Sequence, residues 1–175
     1  MECATPYHIG LIGSSYFLGY TLGSIVFAPL ADTIGRKKVI ALGAAIFAAT
    51  MVYMLLFAQS VEALYIGMFF IGLRSSSNSQ VVYVMMTEYT DMSSRLYYCI
   101  ACNVLEAVMN FFAGFYYTLG GNYRSLYFGG AVLACIVVLW TLLGVPESPR
   151  YLKSQGLHHQ AKSDFAFIAR INGNL

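Results

Sequence analysis

Residues 28–38 read APLADTIGRKK, and this stretch decides how the chain is threaded. From Ile9 to Ala31 no residue is charged; then Asp32, Arg36, Lys37 and Lys38 arrive together around Gly35, and a second apolar run follows. A short charged, turn-rich break between two long apolar runs is how a loop between membrane spans reads.

Composition supports that reading. Of 175 residues, 58% are hydrophobic and 10% are charged, whereas soluble domains carry roughly 25% charged residues. An all-α membrane protein in contact with the lipid bilayer is expected. The net charge of +2 is slight, and the basic residues gather in short loops, so topology explains them and no nucleic-acid partner is expected. Cys99 and Cys102 spell CxxC, but both lie in an apolar run and no second ligand pair accompanies them. Neither a metal site nor a cofactor is expected there. The lead MECATPYH lacks the pattern of a cleaved signal.

Five apolar runs reach the length of about 20 residues that a spanning helix needs: 10–32, 39–58, 61–86, 96–119 and 124–145. The joins GRKK, AQSVE, TDMSSR and GGNYR are short and make neighbours antiparallel. Three regions follow: an extracellular lead over 1–9, a five-helix bundle over 10–145 and a cytoplasmic tail over 146–175. Orientation comes from the basic residues, which stay on the cytoplasmic side. Arg36, Lys37, Lys38, Arg95, Arg150, Lys153, Lys162 and Arg170 fall on one side and Arg124 on the other. The tail itself places Ala161, Phe165 and Ile168 on one face of an amphipathic helix too short to span, with His158 and His159 in solvent at its start.

Inside the bundle three features stand out. Ser15, Gly19 and Gly23 form a small-residue stripe that lets another backbone come close, with a solute path along it as the alternative. Arg74, about midway between Glu62 and Glu88, is followed by SSSNSQ, and Ser77 and Asn78 share its face. Asn103, Glu106 and Asn110 make a polar stripe on the next helix, at similar depth. Arg74 and Glu106 therefore form an ion pair, or both line one cavity, or pair only to fix helix register. A Glu106 that gains and loses a proton would couple proton and solute movement. Arg74, Asn78, Asn103, Glu106 and Asn110 are the candidate solute pathway.

Three motifs carry a resemblance. Asp32, Gly35, Arg36 and Lys37 match the loop between the second and third helices of major facilitator transporters; Glu88 and Arg95 frame TEYTDMSSR, like the next cytoplasmic loop of sugar porters and organic-ion transporters; PESPR at 146–150 resembles the signature closing their first half. The tail, with IARINGN at 168–174, looks most like organic cation and anion transporters. The resemblance implies part of the N-terminal half of a major facilitator bundle, its first helix missing, and secondary transport of an organic ion or sugar. It also implies a cytoplasmic charge cluster, Asp32, Gly35, Arg36, Lys37, Glu88, Arg95, Glu147 and Arg150, that holds a gate closed. Asp32, at the negative end of its helix dipole, calls for a cation, Arg36 or Arg95; Glu147 and Arg150 are expected to pair at the membrane surface. Because alternating access needs two bundles, the chain is expected to pair with a missing C-terminal half or a second transporter chain. The alternative is a membrane interaction subunit that binds or regulates a full-length transporter without transporting.

Overall fold

A computed structural model describes residues 6–90 and 92–171, without the side chains of residues 93, 161, 165 and 167–171. The expected hydrophobic face of the tail helix, Ala161, Phe165 and Ile168, thus lies outside the described side chains, and residues 1–5 of the lead lie outside the described residues.

Eight α-helices follow one another, and no strand occurs among the described residues. They are α1 (Pro6–Ile34), α2 (Arg36–Phe57), α3 (Val61–Ser77), α4 (Tyr83–Tyr89), α5 (Met92–Thr118), α6 (Tyr123–Gly144), α7 (Pro149–Ser154) and α8 (His158–Ile171). Four stretches, Pro6–Ile34, Arg36–Phe57, Ser94–Thr118 and Tyr123–Gly144, are long and apolar enough to cross a membrane. The other expected span is helical from Val61 to Tyr89, but a π-helical segment, Asn78–Val82, divides it into α3 and α4. The ends behave as the sequence requires. Ser60 and Asn122 cap α3 and α6 by accepting from Ala63 N (3.2 Å) and Arg124 N (3.0 Å).

The expected GRKK loop is a correction. Arg36, Lys37 and Lys38 are already helical, and Gly35 alone separates α1 from α2. Its φ of 105° lies where side-chain-bearing residues are strained, so one glycine turns the chain without a loop.

Close packing of α1 on α3 follows from the small-residue stripe. A Cβ at Gly19 would collide with the Phe69 carbonyl, and one at Gly72 with the Tyr16 carbonyl, so the backbones touch where side chains would hold them apart. Helix α2 lies between α3 and α6. The core sits at the Gly35 end: Phe27, Ala31, Val39 and Val81 are buried, with Leu30, Ile40, Ile46 and Leu73 against them. In α5, by contrast, no described residue is buried.

Candidate functional site

Two groups of polar residues are brought together, one at the Gly35 end and one halfway along the bundle.

At the Gly35 end the first four N–H groups of α2 need acceptors. Gly35 has no side chain to offer. Glu147, 110 residues away, supplies one: its Oε1 accepts from Lys37 N and from Ser148 N, both at 3.0 Å. An ionised carboxylate at a helix N-terminus is favoured by the macrodipole as well as by the hydrogen bonds. The fit is tight, since a Cβ on Gly35 would stand 2.6 Å from Glu147 Oε2.

Arg36 reaches across to Glu88, with the two side chains only 15% and 5% exposed. The same Glu88 carboxylate accepts from the Ser148 hydroxyl. Asp32, the partner expected from the sequence, is 3.6 Å from Arg36 and 74% exposed, and so adds little. Arg95 does not reach Asp32: its Nη2 donates to the Thr87 carbonyl (2.8 Å) near the end of α4, where a cation suits the helix dipole. The expected Glu147–Arg150 pair is a second correction. Arg150 is exposed and takes part in no ion pair among the described residues, because Glu147 is turned toward the N-terminus of α2.

Three residues of this cluster were not anticipated as members. Ser148 caps α7 through Tyr151 N (3.3 Å) and is fully buried; the Tyr151 hydroxyl donates to the Thr33 carbonyl (3.1 Å); the Tyr89 hydroxyl donates to the Pro146 carbonyl (2.7 Å). A serine directly before Pro149 is an N-cap signal that could have found the first. Nothing local marks the two tyrosines.

Halfway along the bundle a cavity of about 510 Å³ lies between the α3–α4 rod and α5. Arg74, Asn78, Asn103 and Glu106 line it, joined by Met86 and Cys102 among others. Asn110 does not line it. Of the alternatives for Arg74 and Glu106, they share a cavity without forming an ion pair, since the ion pairs among the described residues are both made by Arg36. The Arg74 guanidinium sits instead over the Phe47 ring, 4.6 Å from its centroid. Phe47 was not anticipated; an aromatic on α2 that stabilises a half-buried cation leaves no sequence signal. The π segment begins at Asn78, so the cavity wall is built where the regular helix gives way. Asn103 uses its Nδ2 on the Cys99 carbonyl at 2.8 Å, leaving its amide oxygen for the cavity.

Comparison with known proteins agrees with this architecture. The family model described as Major Facilitator Superfamily matches residues 3–171. A "Solute carrier family 22 member 15-like" protein of Xenopus tropicalis is 31% identical over 95% of this chain and 34% of its own length. "Organic cation/carnitine transporter 2" of Homo sapiens is 27% identical, covering 99% of this chain and 31% of that protein. A hexose transporter of Saccharomyces cerevisiae is 23% identical, covering 94% and 30%. The chain therefore spans about a third of the length of the curated relatives it matches. With apolar helices able to cross a bilayer several times and a family match over nearly its whole length, this chain is a multi-pass membrane protein of the major facilitator superfamily.

Proposed function

We propose that this chain forms one wall of a secondary transporter for a small organic cation, with the solute passing along the cavity lined by Asn78, Asn103 and Glu106. One observation carries the reading. In a cavity of about 510 Å³, within the roughly 300–1,000 Å³ of small-molecule sites, Glu106 has no ion-pair partner among the described residues while Arg74 is turned onto Phe47. A carboxylate without a cation at membrane depth is costly unless something positive fills the space beside it. Two of the relatives are named organic cation transporters, which accords with a cation, alongside relatives named hexose transporters. The sulfur and aromatic lining from Met86 and Tyr83 suits the apolar part of such a solute.

The charge cluster is the gate at one end of this path. Gly35, Arg36, Lys37, Glu88, Arg95, Glu147 and Ser148 tie α2, α4 and α7 together, and opening the path there requires the Arg36–Glu88 pair to separate. Basic residues concentrate at this end, so it faces the cytoplasm together with α7 and α8. The opposite wall comes from further transmembrane helices, in this polypeptide or in another, because a bundle with α5 bare closes the cavity on one side only.

The experiment is uptake of a labelled quaternary ammonium, a hexose and an organic anion into cells expressing the chain, alone and with a full-length relative. Quaternary ammonium uptake that falls at least tenfold in Glu106→Gln and survives in Arg74→Ala is the expected result. Uptake indifferent to Glu106→Gln, with anion uptake lost in Arg74→Ala, overturns the assignment. The bare α5 also favours a second reading, an interaction subunit that does not transport. It requires no uptake by the chain alone, together with altered uptake by the full-length partner that co-purifies with it.

A further inference from the structure

The CxxC spelling on α5 lacks a second ligand pair in sequence, and the fold supplies a sulfur from another helix. Cys99 and Cys102, three residues apart on one helix, lie on the same face. Both line the cavity, both are free, and Met86 from α4 lines it with them. The Cys102 sulfur stands 3.9 Å from the Met86 sulfur. Two sulfurs 3.9 Å apart, each about 2.3 Å from a shared ion, subtend about 116° at it, the opening a three-coordinate site requires. These two sulfurs are already spaced to share such an ion, and Cys99, one helical turn from Cys102, lines the same cavity to serve as the third donor.

We infer that Met86, Cys99 and Cys102 form a site for a soft monovalent d10 metal ion, Cu(I) in a cell. The donor chemistry selects it. Thiolate and thioether sulfur favour Cu(I), and a thioether is a poor ligand for the harder divalent ions. Binding is a simple exchange: two thiols release their protons to water, both thiolates and the neutral thioether bind the ion, and no electron is transferred. The resulting complex carries one negative charge, and Arg74 lines the same cavity to offset it. Entry is short, because Met86 stands two residues from Glu88 and Cys102 seven from Arg95, which is about 10 Å of helix or less from the charged end. A bound ion would tie α5, in which no described residue is buried, to α4. The inference stands on the sulfur geometry and holds whether or not the cavity carries a solute.

The test is anaerobic competition for Cu(I) between bicinchoninate and the purified chain in lipid nanodiscs, in a background with Cys3→Ser and Cys135→Ser so that only the two cavity thiols remain. One equivalent of Cu(I) withdrawn per chain is expected, with a sulfur-only shell in X-ray absorption. Met86→Leu conserves volume and every thiol, and is expected to weaken binding at least tenfold; Cys99→Ser with Cys102→Ser is expected to abolish it. Binding unchanged in Met86→Leu overturns the site, as does a wild-type chain that competes no better than the double serine variant. Circular dichroism of each variant confirms its helicity, and since Met86→Leu alters neither backbone nor thiol count, its result is decisive even where the serine variants misfold.

Discussion

Two carboxylates of this protein sit in opposite situations. Glu88 is 5% exposed, paired with Arg36 and hydrogen-bonded by Ser148. Glu106 projects from a helix without a buried described residue and has no ion-pair partner among the described residues. The same chemical group is thus a fastener at one end of the bundle and an open ligand at its middle. What separates them is the neighbouring backbone. Around Glu88 three segments converge through Gly35 and the PESPR turn, so a guanidinium and a hydroxyl both reach its carboxylate. Around Glu106 only the α3–α4 rod approaches, and its one guanidinium is engaged by Phe47.

The sharpest way to break this contrast is to remove a partner from the fastened end. Arg36→Ala leaves Glu88 as a buried charge short of its cation, and such losses cost about 3–5 kcal/mol. Glu88→Ala strands Arg36 by the same logic, while Arg150→Ala, at an exposed residue without an ion pair among the described residues, should stay within about 0.5 kcal/mol. Thermal unfolding in nanodiscs measures all three, and an Arg36–Glu88 double-mutant cycle gives the coupling. A melting point unmoved by Arg36→Ala would mean the pair is not formed in the bilayer.

Intermediate effects come from the glycines. Gly19→Ala drives a methyl group into the Phe69 carbonyl and should cost about 1–3 kcal/mol as α1 and α3 are pushed apart. Gly35→Ala combines an unfavourable backbone at φ 105°, about 1–3 kcal/mol, with a clash against Glu147 Oε2. Adding Glu147→Ala relieves the clash and leaves the backbone strain, but it also uncaps α2. If the double variant is no more stable than the sum of its parts predicts, the clash contributes nothing and the tight seating of Glu147 is wrong.

The sequence made the apolar rods legible because burial in lipid demands length and hydrophobicity that nothing else imitates. The Gly19 stripe was legible for a similar reason, since small residues at intervals of four have few uses on a spanning helix other than close approach. The joins were harder. GRKK looks like a loop because its charges are polar, yet charge is no obstacle to helix in water, and only the φ at Gly35 shows that a single residue makes the turn. Glu147 and Arg150 were expected to pair because they stand three residues apart within PESPR. The competitor was the unsatisfied N-terminus of α2, more than a hundred residues upstream, and an ionised acceptor at a row of free N–H groups wins over a solvent-exposed arginine. The π segment has no residue signature, so the division of the rod emerges only in three dimensions, whereas a shared cavity was among the alternatives that the positions of Arg74 and Glu106 left open.

The smallest expected effect on stability belongs to Glu106, and for that reason it discriminates most. Glu106→Gln removes a charge that contacts no cation at ion-pair distance on a helix without buried described residues, so unfolding should shift by less than about 0.5 kcal/mol. A structural carboxylate would behave as Glu88 does. With folding held constant, any loss of uptake in Glu106→Gln reports on the path itself. If the residue also exchanges a proton during transport, the variant loses the pH dependence of uptake along with its magnitude. Uptake that keeps its full pH dependence in Glu106→Gln assigns the proton to another group, and a stability loss near that of Glu88→Ala would erase the distinction between the two ends.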